Sequence, residues 1–298
     1  MEKLVVKEEG LLLDFLFKAL HGYKKNKVRS YLKFGAVSVN GVVSRKHDHR
    51  LRPGHEVSVQ TNKREILAAS KKYPFRIVFE DDAIIVISKP AGLLTIATDQ
   101  EKDQTAYRAL TEYVNMRDPL GRARVFIVHR IDRDTSGLIV FAKKGEYKEK
   151  LQGDWNTVEK RYLAVVEGSP EEDKGIIKSN LSESKFRAVY SGPRVDDSRL
   201  AVTRYSVLDS NDKYTLVEII LDTGRKHQIR VHMADMGCPV AGDTRYGAKT
   251  DPAGRLALHA AYLSFKHPLT GKTLVFESPL PDVLRKIIHK PKKAEKRK

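Results

Sequence analysis

The 298-residue sequence predicts an α+β protein: a mixed, mostly antiparallel sheet in its larger part, preceded by a small αβ module. Three observations lead there. Strand-like and helix-like segments are mixed along the chain, and adjacent strand-like runs are often joined by short turns. The pattern changes across a polar, basic stretch, TNKREILAASKKYP, which reads as a linker. The net charge of +17 sits mainly at the two ends, with +9 in residues 1–72 and +5 in residues 290–298.

The N-terminal module spans 1–60 and the linker 61–74. LLLDFLFKALHGY has apolar residues at helical spacing, and KVRSYLKFG is a second helix ending at Gly35. In AVSVNGVVS, alternating valines flank Asn40-Gly41, a strong hairpin signal. LRPGHEVSV adds a Pro-Gly turn and another strand.

The larger domain spans 75–289. RIVF and AIIVISK are strands joined by an acidic turn and stopped by Pro90-Ala91-Gly92. QTAYRALTEYVNMR is helical, RVFIVHRI a strand, and TSGLIVFAK another. KRYLAVVEG and YTLVEIILDTG are strands, and HQIRVHMADMG is a helix stopped by Gly237. LALHAAYLSFKHP and TLVFESP are late strands, DVLRKIIHK is a last helix, and 290–298 is a basic tail.

Composition narrows the function. Hydrophobic residues make up 41% of the chain, enough for a core, and no apolar run approaches a membrane span of roughly 20 residues. The N-terminus lacks the basic-then-apolar pattern of a signal peptide. The single cysteine, Cys238, excludes an internal disulfide and a multi-cysteine zinc site, so a cytoplasmic setting is the simplest reading. Clustered positive charge calls for a polyanionic partner, nucleic acid before a merely solubilising surface.

The stretch HRIDRDTSG, His129 to Gly137, leaves an apolar run and presents Asp132 between Arg130 and Arg133 at an edge or loop, where it can face a cleft. HRIDRDTSGLIVFAKK resembles the H-R-L/I-D-x-x-T-S-G signature of the RluA-type pseudouridine synthases. KRYLAVVEG, LDTGRKHQIRVHMADMGCPVAGDTRYG, RLALHAAYLSFKHPLTGK and EDDAIIVISKPAGLL resemble further segments of that family, over roughly 75–285. The basic second helix followed by the Asn-Gly hairpin resembles the small RNA-binding domain of the ribosomal-protein S-four type.

These resemblances imply an RNA-modifying isomerase that flips a uridine out of the stack, breaks its bond to nitrogen 1 and rejoins carbon 5 to the ribose. They imply RNA as the partner, ribosomal RNA of the large subunit first and transfer RNA second; nothing in the sequence suggests an obligate dimer, so a monomer is expected. A non-catalytic RNA-binding or assembly factor is the rival from another class. The chemistry needs no metal and no small-molecule cofactor. Asp132 matches the catalytic aspartate, acting as nucleophile or base. Tyr162 matches the active-site tyrosine that stacks on the uracil, and Arg230 the basic residue that pairs with the aspartate. Arg130 is expected to enter the space vacated by the flipped base. Arg225 is either an RNA contact or a structural ion pair, and His227 is an RNA contact. Lys24, Lys25, Lys27, Arg29 and Lys33 are the basic RNA-binding residues of the N-terminal module.

Other signals are set aside. His227 and His232 are five apart, a poor spacing for one metal on a helix. Asp243 reads as a turn residue. Ser136, His129 and Asp132 lack the nucleophile elbow of a hydrolase. GLLTIATDQEKDQTA departs from the common family pattern, which bears on the substrate and not on the reaction.

Overall fold

The computed structural model describes residues 2–33, 36–40, 42–44, 46–59, 73–118, 122–183, 189–193 and 198–289. Most of the expected linker, the expected helix stop at Gly35, the turn residue Gly41 and the basic tail lie outside them. The chain forms two compact units, one of residues 1–75 with 98–126, the other of 76–97 with 127–298.

In the first unit, β1 (Glu2–Val5), β3 (Val37–Val39), β4 (Val42–Val43) and β6 (Glu56–Val59) form an antiparallel sheet in the order β1-β6-β3-β4. A second ribbon pairs β2 (Gly10–Leu11) with β5 (Arg50–Leu51). Among the described residues its helices are α1 (Leu12–Ala19), α2 (Lys25–Lys33) and α3 (Ala106–Arg117). Leu12 and Leu16 of α1, and Val28, Tyr31 and Leu32 of α2, are buried at the three- and four-residue spacing of one helix face. They meet Val37, Val57 and Met116 in one core. Asn40, at φ +49, supplies the left-handed turn before β4.

This core corrects one expectation. Lys27 is no surface RNA contact: it is buried, and its ammonium donates to the carbonyls of Met116 and, at 2.8 Å, Asn115. It caps the C-terminus of α3, where unpaired carbonyls favour a cation. Lys24, Lys25 and Arg29 are exposed, and Lys25 and Arg29 lie over the Phe17 ring at 5.7 and 5.3 Å. Lys33 is the last residue of α2, and its side chain lies outside the described set.

The second unit is built on one large sheet. Its strands are β7 (Arg76–Glu80), β8 (Ile84–Lys89), β10 (Ser136–Ala142), β11 (Glu159–Glu167), β12 (Lys174–Glu183), β13 (Val189–Gly192), β14 (Arg199–Ser210), β15 (Tyr214–Leu221) and β16 (Leu258–Lys266). They run in the order β13-β12-β14-β15-β11-β16-β10-β8-β7, with β17 (Thr273–Glu277) also paired to β16. Every pair among them is antiparallel except β10 with β16. Among the described residues, three α-helices complete the unit: α4 (Gly145–Gly153), α5 (Gln228–Asp235) and α6 (Asp282–Ile288). All seven residues of β10 are buried, as befits an interior strand covered on both faces.

The parallel step is tight. Gly137 has φ +117, and a Cβ there would meet the carbonyl oxygen of Ala260 at 2.2 Å. We expect Gly137→Ala to cost about 3 kcal/mol or more, by strain and overpacking together. A thermal melt or the soluble yield would show it; a wild-type melting temperature would contradict it.

The expected strand RVFIVHRI shortens to β9, Phe126–Ile127. Val128 and Ile131 are buried as expected of apolar residues, but their segment is a loop held by side chains instead of a ladder. Helix α4 and strands β12–β14 were not anticipated. Helix α4 buries only Leu151, so GEYKEKLQG carries no apolar period.

Candidate active site

Asp132 sits in the loop before β10, and buried polar groups fix that loop. Thr95 donates from Oγ1 to the Ile131 carbonyl at 2.8 Å. Lys89, 1% exposed at the end of β8, donates to the carbonyls of Pro90, Leu93 and Arg133 at 2.9, 2.7 and 2.9 Å. One ammonium thus ties the Pro90-Ala91-Gly92 turn to the residue after Asp132. Burial lowers the pKa of Lys89 to about 7, while Asp134 and Asp132 pull it up and Arg255 pushes it down. The Thr135 N–H closes the turn onto the Asp132 carbonyl at 3.2 Å.

The histidine and serine of the motif serve this framework. His129 accepts the Val140 N–H at its Nε2 (3.1 Å) and packs on Trp155 with ring centres 4.5 Å apart. Burial, with Lys160 nearby, lowers its pKa to about 3, so it is neutral. Ser136 bonds Nδ1 of His259 at 2.8 Å and accepts from Arg255 at 2.9 Å. A hydrolase-like Ser136–His129–Asp132 relay is therefore not assembled.

Asp132, Tyr162, Arg225, His227, Arg230 and Arg130 line one cleft, floored by Ile131, Leu221, Ile229 and Leu258. Tyr162 enters from β11, facing Ile219 of β15 across the ladder. Burial raises the pKa of its phenol far above the usual range and the charge of Asp132 adds to this, so the ring stays neutral. Such a ring offers a flat, apolar face to a base.

Arg230 lies in the first turn of α5. Its Nη1 is 3.4 Å from Asp132 Oδ2, a long contact. Its tight partner is Asp243, which accepts from Nε at 2.6 Å and from Nη2 at 2.7 Å in a two-pronged pair. Burial opposes the charge of Arg230, but the hydrogen bonds and charge of Asp243, with Asp132, raise its pKa overall. Reading Asp243 as a turn residue missed this role: no spacing rule links positions 230 and 243, which meet only after α5 turns back through Gly237. The Arg230 guanidinium also lies 5.0 Å from the centre of the Tyr246 ring.

Arg130 is exposed at the rim of the cleft. Arg225 is exposed as well, and its Nε donates to the Leu200 carbonyl at 3.2 Å. Gln228 organises the bend before α5: its oxygen accepts from Thr223 Oγ1 and the Arg225 N–H, and its nitrogen donates to Thr203 Oγ1 and the Val202 carbonyl. His232 is fully buried between Thr203 and Ser179, a packing role. Among the described residues, no group of three or more His, Cys, Asp or Glu is placed to hold a metal ion, and no helix is long and apolar enough to cross a membrane.

A carboxylate beside a guanidinium, in a cleft shared with a tyrosine and rimmed by exposed arginines, leaves room for an extruded base. The architecture agrees with the comparisons. The family model described as RNA pseudouridylate synthase matches residues 83–235, and the chain belongs to that family. It is 36% identical to an uncharacterized RNA pseudouridine synthase, YlyB, of Bacillus subtilis, over 92% of this chain and 91% of that one. It is 34% identical to the ribosomal large subunit pseudouridine synthase D of Neisseria meningitidis serogroup A, covering 92% of this chain and 76% of the relative. The solved structure of human RNA pseudouridylate synthase domain containing 4 superposes with a TM-score of 0.59 at 25% identity, over 70% of this chain and 93% of that one. The protein is an RNA pseudouridine synthase, an isomerase of uridine within RNA.

Proposed function

We propose that the protein modifies ribosomal RNA of the large subunit, with Asp132 as the reacting carboxylate, Tyr162 as the stacking ring and Arg230 as the partner that orients the carboxylate. The convergence of these three side chains in one cleft carries the reading. Arg130, exposed at the rim, is the side chain suited to fill the duplex where the base was. The large-subunit substrate is supported by relatives bearing that name, at 34% identity over 92% of this chain. In this reading the compartment is the cytoplasm and the enzyme acts as a monomer.

In this reading residues 1–60 are an S-four-type RNA-binding domain, 61–74 a linker and 75–289 the catalytic domain. The exposed Lys24, Lys25 and Arg29 then contact phosphates. Replacing all three with alanine should lower the slope of log affinity against log salt by about 2–3, near 0.7–0.9 per lost phosphate contact. Filter binding across a salt series measures it; an unchanged slope would take this face out of RNA binding.

The experiment that tests the substrate is pseudouridine mapping of total RNA, by carbodiimide labelling and primer extension, from cells with and without the gene. Loss of one or more sites in large-subunit RNA is expected. Loss confined to transfer RNA would replace the substrate and keep the chemistry.

A further inference from the structure

We propose that His227 donates a hydrogen bond from Nε2–H to a carbonyl oxygen of the flipped uracil, and that Tyr246 holds the imidazole in the tautomer that permits it. The proposal rests on Asp132 being the reacting group.

His227 stands just before α5 at φ +54, an uncommon backbone state for a residue with a side chain. Its side chain makes no capping bond to the helix it precedes. The ring turns instead into the cleft shared with Asp132 and Tyr162. Nδ1 lies 2.7 Å from the Tyr246 hydroxyl. That hydroxyl accepts the Val189 N–H at 3.2 Å and, in the arrangement proposed, gives its own hydrogen to Nδ1. An accepting Nδ1 leaves the ring proton on Nε2. Nε2 is 3.9 Å from Asp132 Oδ2, beyond hydrogen-bond reach, so among the described residues this N–H has no acceptor. Burial, with Arg230, Arg245 and Lys226, lowers the pKa of the ring to about 4 against the pull of Asp132. The donor is therefore neutral at pH 7, and it lies beside the carboxylate that acts on the sugar.

The reaction gives such a donor a use. When the bond from C1′ to N1 breaks, its electron pair leaves with the uracil, and the negative charge spreads over the ring onto its carbonyl oxygens. When C5 joins C1′, the pair returns to the new bond, the hydrogen on C5 is lost as a proton and N1 takes up a proton, so the product is a neutral isomer of the uridine. His227 transfers no proton in either step. Its N–H meets more negative charge in the transition state than in the bound substrate, so it acts on rate and not on affinity.

The test uses the full-length enzyme and a transcript carrying a mapped target uridine. His227→Phe should slow single-turnover conversion about 10²-fold while the RNA Kd stays within about threefold. His227→Gln, whose side-chain nitrogen can occupy the Nε2 position, should recover about tenfold of that loss. Tyr246→Phe should slow the wild type about tenfold and the His227→Phe enzyme no further. Sulfur in place of one carbonyl oxygen of the target should slow the wild type and leave His227→Phe unaffected. A His227→Phe rate within about twofold of wild type overturns the proposal, as does a loss confined to Kd, or equal slowing of both enzymes by each thio-substrate. If His227→Phe fails to fold, a wild-type rate in Tyr246→Phe overturns it. Asp132→Asn, run in parallel, keeps the readings separate: product from that variant would remove Asp132 as the reacting group, whatever His227 does.

Discussion

Asp132→Asn is expected to abolish pseudouridine formation, by more than about 10³-fold, with the RNA Kd within a few fold of wild type. The amide keeps the shape of the carboxylate but is neither a base nor a useful nucleophile at neutral pH. The surroundings keep their bonds: the loop is held through the main chain of Ile131, Asp132 and Arg133 by Thr95, Thr135 and Lys89, none of which bonds the Asp132 side chain. Arg230 loses only its long third contact and retains Asp243. Structure and affinity should therefore survive while chemistry does not. Single-turnover conversion of the mapped RNA, with Kd measured alongside, checks this. An Asn variant that still isomerises uridine would move the reaction to another group in the cleft.

How much of this was legible in the sequence follows the range of the interactions. Asp132, Tyr162 and Arg230 lie in contiguous motifs, Asp132 just before the fully buried strand β10, Tyr162 on β11 and Arg230 in the first turn of α5. The small N-terminal helices were equally plain, because burial at Leu12, Leu16, Val28 and Leu32 follows helical spacing. What failed was local reading of groups whose partners are distant. Lys27 looked like one basic residue among several, yet its acceptors lie 88 and 89 residues away. Lys89 appeared only as the end of a strand, although it secures the carbonyl of Arg133, 44 residues on. Both are buried lysines spending their donors on carbonyls, which no periodicity reports. The run RVFIVHRI misled for a related reason: apolar alternation records burial, and a loop pinned by Thr95 and Lys89 buries Val128 and Ile131 as a strand would.

Arg230 has two duties, and they can be separated. Its side chain is 11% exposed and that of Asp243 only 1%, and two of its nitrogens are given to Asp243. Arg230→Met strands the Asp243 carboxylate without its counter-charge, an arrangement that costs about 3–5 kcal/mol when one partner of a buried pair is removed. The same change takes the guanidinium from Asp132. Stability and rate should fall together, so the single variant cannot assign either loss. The double variant Arg230→Met, Asp243→Leu can, because replacing both members of a buried ion pair by apolar groups is often near neutral or stabilising. Thermal melts should then return to within a few degrees of wild type, while conversion stays at the level of the single variant. Recovery of rate along with stability would make Arg230 a purely structural residue. Arg230→Lys offers a further discrimination: a point charge cannot bridge both oxygens of Asp243 and still reach Asp132 with a planar fork, so it should preserve part of the stability and little of the rate.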